Sequence, residues 1–171
     1  ITAAELLGTA LACVAAAFWI GRANWRLAAA FGVAVVIAGN LLSSLTTDYG
    51  TLLALRFATG FLGEGTAFAV AMGMLGSSTL KDRNFAYAIA AQVLTGVLAF
   101  QLTVTGGQFG VPGVLLPVAA TAGLVLLLVP SIPAAGPAAG GAHGAGAPAT
   151  TPALAYMALA VMLIWCTGLG S

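Results

Sequence analysis

Charge is what this sequence has least of. Five basic and four acidic side chains leave 5% of its 171 residues charged, with a net charge of +1. An ordinary soluble domain carries about 25% charged residues, so this composition does not describe one. So small a net charge, with no basic patch, gives no footprint for a nucleic-acid partner. Cysteine is scarce too. Cys13 and Cys166 both fall in apolar segments and read as small hydrophobes, not as a disulfide framework. His143 is the one histidine and has no second ligand nearby, so no metal site is expected. The chain also lacks a nucleophile–base arrangement, a Gly-rich phosphate loop before a lysine, and a cysteine pair at metal spacing. Neither an enzyme nor a cofactor is expected. Strand-like alternation is missing as well.

What is present is apolar length. Hydrophobic residues make up 61% of the chain, and the mean hydropathy is +1.09. These values belong to polytopic helical membrane proteins, whose first partner is the lipid bilayer. A span needs about 20 mostly apolar residues. Five candidates follow in order, at about residues 2–20, 27–45, 51–76, 85–104 and 114–129. Polar breaks separate them: 21–26 with Arg22, Trp25 and Arg26; 46–50 with Asp48 and Tyr49; 77–84 with Lys81, Asp82 and Arg83. The stretch 105–113 holds Gly106, Gly107, Gly110, Pro112 and Gly113, a turn signal.

Residues 134–151 are rich in Gly, Ala and Pro and are expected to form a flexible linker. A sixth apolar run, 152–169, reads as a span cut short. The expected organisation is therefore five transmembrane helices over 1–133, the linker over 134–151, and the start of a second half over 152–171. With Ile1 in first place and no basic n-region, the opening span does not read as a signal peptide. The chain is expected to be a fragment of a longer protein.

Orientation follows from the basic residues. Arg22 and Arg26 share one break, and Lys81 and Arg83 share another two breaks later, with Asp48 alone between them. The positive-inside rule places 21–26 and 77–84 in the cytoplasm and Asp48 outside, with the 134–151 linker inside.

Arg56 and Glu64 then fall inside the third span. A charge near mid-bilayer costs roughly 2.5–3.5 kcal/mol, so each marks a candidate functional site. On a regular helix they stand about 12 Å apart along the axis and roughly 80° apart around it, poorly placed to meet each other. Arg56 lies about two turns from the outer surface and Glu5 about one turn from it, which proposes an interhelical Glu5–Arg56 pair. The alternative is that Arg56 snorkels to the interface alone. Glu64 sits nearer mid-membrane, where a carboxyl is costly to ionise. It reads either as a proton carrier or as a neutral group locking two helices. Gly60, Gly63 and Gly65 let neighbouring backbones come close. On the fourth span Gln92, Thr95, Gly96, Ala99 and Thr103 share one stripe, either a solute path or a packed interface. Asn40, Ser43 and Ser44 on the second span are open to the same two readings.

The order of spans resembles the amino-terminal half of a major facilitator superfamily transporter, from that family's second helix into its seventh. Arg56, Gly60, Gly63 and Gly65 look like the arginine–glycine motif of the family's fourth helix, and the 134–151 linker looks like the loop joining its two halves. The loop after the family's second helix is kept only at Arg22 and Arg26. Gly21 stands where that pattern has aspartate, Asn24 where it has glycine and Trp25 where it has a basic residue. The fourth span lacks the Gly-Pro signature of many drug–proton antiporters. The resemblance implies an all-α membrane bundle, an MFS-like six-helix half, working by alternating access in symport or antiport. It implies a small organic solute as substrate, protons as a candidate coupling ion, and the carboxy-terminal half of the same chain as partner. Arg56, Glu64 and Gln92 would face the solute or proton path. Arg22, Arg26, Asp82 and Arg83 would act in a cytoplasmic gate. The very short loops point to a bacterial inner membrane. The competing expectation is a non-transporting assembly or anchoring protein whose buried charges only fix helix register.

Overall fold

Two polar side chains set where helices begin. Asn24 accepts the amide hydrogen of Leu27 at 3.2 Å and caps Trp25–Leu45. Asp48 accepts that of Thr51 at 2.7 Å and caps the helix that starts at Tyr49. Each satisfies an amide that a helix start leaves without a partner. The structure, a computed structural model, describes residues 2–77, 80–109, 113, 119–120, 122–123 and 125–132. These form an all-helical array with no strand among the described residues. The first helix is Thr2–Trp19, the second Trp25–Leu45, the third Tyr49–Ser77 and the fourth Lys81–Gly106. Short 3₁₀ turns follow at Gly107–Phe109 and Val129–Ser131.

Among the described residues, the second and third helices are long and apolar enough to cross a membrane, while the apolar part of the first, Ala3–Trp19, is shorter. Helix extends past hydropathy at the breaks. The second starts at Trp25 because its cap sits at Asn24. The fourth starts at Lys81, four residues ahead of Phe85, with Asp82 in the first turn where the helix dipole favours an anion. The break expected over 77–84 is shorter for that reason. In the run expected over 114–129, the described residues 119–120, 122–123 and 125–126 are helical. The linker with His143 and the run 152–169 with Cys166 lie outside the described residues.

The third helix sits between the first and second, and glycines set both distances. A Cβ on Gly60 would land on the carbonyl oxygen of Glu5, and one on Gly8 would land on that of Phe57. On the other side, a Cβ on Gly32 would lie 2.8 Å from the carbonyl oxygen of Gly63. Backbone therefore meets backbone at both crossings, which larger residues would prevent. At the Arg22 end, Trp25 donates its indole N–H to the carbonyl of Ile20 at 2.9 Å and packs with Ala29, Val70, Met74, Val129 and Ile132. Arg26 Nε donates to the carbonyl of Ile132 at 2.8 Å, tying the returning segment to the second helix.

Polarity is inverted relative to a soluble domain. Glu5, Asn40, Arg56 and Glu64 are buried, whereas Val14, Phe18, Leu27 and Leu45 are exposed. Such an exterior suits lipid.

Asp48 gives a pH signature. Its hydrogen bonds from Thr51 hold the carboxyl below the usual carboxylate range. A depressed value means the cap is intact above the unfolded-state pKa and is lost as pH falls through the folded one. We expect Asp48→Asn, which keeps an acceptor but cannot titrate, to flatten the acid limb of the thermal stability profile of the detergent-solubilised protein. An unchanged acid limb would mean that Asp48 contributes nothing to it.

Candidate functional site

The third helix is not uniform. Over Thr59–Glu64 it widens into a π turn, and the amide of Gly65 donates to the carbonyl of Gly60, five residues back. Two features favour the wider turn here. Gly60 and Gly63 hold the α form weakly, and Thr59 is wedged against Gly39 while its hydroxyl donates to the carbonyl of Leu55 at 2.8 Å. A π turn takes up one extra residue. The eight residues from Arg56 to Glu64 then span about seven α-helical steps, roughly 700°, which falls within about 20° of two full turns. The roughly 80° offset of a regular helix is thereby removed. Both side chains face the first helix, where each has its own partner, and among the described residues no salt bridge joins the two.

Arg56 is 1% exposed, so it does not snorkel. Its Nε donates to Glu5 Oε2 at 3.0 Å and its Nη2 to Glu5 Oε1, a two-pronged pair between the first and third helices. Its Nη1 donates to Asn40 Oδ1 on the second helix at 2.8 Å, and Asn40 Nδ2 donates to the carbonyl of Val36 at 2.8 Å. One guanidinium thus ties three helices together. Glu64, 4% exposed, lies about two turns further along the third helix than Arg56, its carboxyl within hydrogen-bonding reach of that of Glu5.

Thr9 completes the cluster. Its hydroxyl lies 3.1 Å from the carbonyl oxygen of Glu5, 3.3 Å from that of Gly60 and 3.4 Å from Glu64 Oε2. A hydroxyl has one proton to donate and two lone pairs to accept with. Thr9 can therefore serve Glu64 whether that carboxyl is ionised or protonated. The guanidinium does not give up its proton. One guanidinium with two carboxyls is then neutral only when the carboxyls hold one proton between them.

The other candidate residues lie elsewhere. Arg22, Asp82 and Arg83 are exposed, and Arg26 is bound to Ile132. Among the described residues no salt bridge joins these four. Gln92 sits on the fourth helix, but its side chain lies outside the described set, as do those of Thr95, Gly96, Ala99 and Thr103. Gly60 and Gly65 face the first helix and Gly63 the second. Thr9 was not singled out from sequence, although its place four residues after Glu5 puts both on one helical face.

No family model, no curated protein and no solved structure matches the chain.

Thr9→Val is expected to lower the stability of the detergent-solubilised protein by about 1 kcal/mol, the net worth of one buried hydrogen bond, while Thr9→Ser stays near wild type. Equal melting of the two variants would show that the hydroxyl contributes nothing.

Proposed function

We propose that this chain is part of a secondary transporter that moves a small organic solute across a membrane by alternating access. The Glu5–Arg56–Glu64 cluster would be its solute or proton site. On this reading the helices form an MFS-like six-helix half in a bacterial inner membrane, partnered by a second half of the same chain. The observation that carries it is a fully buried, hydrogen-bonded charge cluster at the centre of an array whose outside is apolar. A helix that served only as an anchor gains nothing from burying three ionisable groups. Two carboxyls against one guanidinium supply an exchangeable proton. A solute bearing a carboxylate or an amine could displace one member of the cluster from its partner.

The test is flux of radiolabelled solutes, from a panel of carboxylates, amines and neutral sugars, into liposomes containing the complete native protein under an imposed proton gradient. At least one solute is expected to move, and Glu64→Gln is expected to reach the membrane normally while losing the response to the gradient. Gradient-driven flux that survives Glu64→Gln would remove the proton role. If no solute moves, the transporter reading falls.

The anchoring reading is favoured by one observation, that Arg56 itself ties three helices together. It expects Arg56→Ala to reduce membrane abundance and any phenotype in step, with no variant that is abundant yet inactive.

A further inference from the structure

The close approach of the first and third helices ends at Gly65, where an added Cβ would land on that of Ala12. Beyond it, toward Arg22, the facing side chains do not fill the space between the two helices. An open-sided groove of about 270 Å³ runs there. Cys13, Ala16, Ala17 and Ile20 form one wall, at the spacing of a single helical face. Ala69 and Gly73 of the third helix are too small to close it. Phe68 and Met72 line its far side and pack with Leu75, Phe85 and Ala88, so the fourth helix holds that side in place.

Its size decides what fits. From Cys13 to Ile20 the groove covers about 10 Å of helix axis, within the roughly 15 Å that one leaflet contributes to a bilayer core. It stops about one turn short of Thr9 and Glu64, so its lining is apolar. Spread over that length, 270 Å³ leaves a cross-section of roughly 25 Å², whereas a helix with its side chains takes roughly 80–110 Å². The space is too narrow for a helix and suits a single hydrocarbon chain. Its Ile20 end lies beside Arg22, two residues further on in the turn that follows Trp19. Arg22 is exposed, and among the described residues no salt bridge neutralises it. Trp19 and Trp25 flank this turn, as aromatic residues do at a membrane interface.

We propose that the groove holds one acyl chain of an anionic phospholipid from the leaflet on the Arg22 side, with the headgroup phosphate against Arg22. Basic side chains at the cytoplasmic ends of membrane helices attract the anionic lipids of that leaflet, and the positive-inside rule puts Arg22 there. The site rests on the membrane placement in the reading above, and not on transport.

The complete native protein is reconstituted in phosphatidylcholine vesicles with a trace of phosphatidylglycerol that carries a photoactivatable diazirine midway along one acyl chain. Phosphatidylcholine with the same label is the comparison, and adducts are mapped by peptide mass spectrometry after irradiation. Adducts are expected to concentrate on residues 13–20 and 68–73, above Leu27 and Phe31, which are exposed on the second helix at the same end. Labelled phosphatidylglycerol is expected to be favoured there about fivefold, the scale of one basic side chain near an anionic surface. Arg22→Gln should remove that preference and Arg22→Lys should keep it. Ala17→Phe, which adds a ring at an exposed position in the groove, should clear the groove peptides while Leu27 and Phe31 stay labelled. Equal labelling of groove and second helix, or equal yield from the two lipids, would overturn the site. If Ala17→Phe does not accumulate in the membrane, the Arg22 variants decide alone. Release of the native protein from membranes by alkaline carbonate would sink the membrane placement and the site with it. Retention without a headgroup preference would sink the site alone.

Discussion

Glu5→Gln and Glu64→Gln are each expected to leave the protein folded, and the double variant is expected to unfold it. The reason is charge counting. With Glu5 neutralised, Arg56 still has the Glu64 carboxylate nearby; with Glu64 neutralised, it keeps the two-pronged bond to Glu5. Each single change then costs about 1 kcal/mol, the scale of one altered hydrogen bond. With both neutralised, a guanidinium that cannot lose its proton is left buried without a counter-charge. Breaking a buried pair in this way costs about 3–5 kcal/mol, a large share of the 5–15 kcal/mol that holds a typical fold. Loss should therefore far exceed the sum of the single effects, as expected for residues in one network. Adding Arg56→Met to the double variant should restore folding, because an apolar side chain of similar length removes the stranded charge. Thermal unfolding in detergent, followed by Trp fluorescence, reads all four proteins. Additive losses without rescue would show that the two carboxyls do not substitute for each other.

Gly60→Ala is expected to be strongly destabilising. The added carbon would land on the main-chain carbonyl of Glu5, with the Glu5 carbonyl carbon only 2.9 Å away. Main chain cannot swing aside as a flexible side chain can, so the first and third helices must separate. Overpacking a tight site costs about 1–3 kcal/mol and occasionally more. Here the upper end is expected, because separating these helices also pulls Glu5 from Arg56. Gly76→Ala is the control. Among the described residues nothing lies within 4 Å of its would-be Cβ, and alanine is the better helix former by about 1 kcal/mol. Gly76→Ala should melt at or above the wild-type temperature and Gly60→Ala well below it. Similar melting of the two would mean that the crossing tolerates a methyl group.

Much of this architecture could be read from the residues because the chain has so few charges. Glu5 lies one turn and Arg56 two turns from the same end of their spans, so depth alone suggested the pair that the structure contains. Hydropathy located the helices but not their ends, which Asn24 and Asp48 decide through hydrogen bonds that a hydropathy window does not see. Glu64 was recognisable as unusual, but not as a neighbour of Arg56. The widened turn between them leaves no mark on hydropathy, and a regular pitch puts Glu64 on the wrong face. Thr9 and Asn40 were obscure for another reason. A single polar residue on an apolar helix looks the same whether it bonds its own backbone or a buried charge two helices away.

The widened turn gives the third helix one residue to spare. Eight residues lead from Arg56 to Glu64 but cover about seven α-helical steps, so removing one residue between Thr59 and Glu64 would let the turn close into regular α-helix. Glu64 would still face the first helix, Gly65 would stay against Ala12, and Val70 and Met74 would stay against Trp25. Adding a residue is a different matter, because a second widening would be needed to keep everything downstream from rotating by about 100°. The helix behaves as two screws joined by a coupling of six residues that can shorten by one without turning either screw.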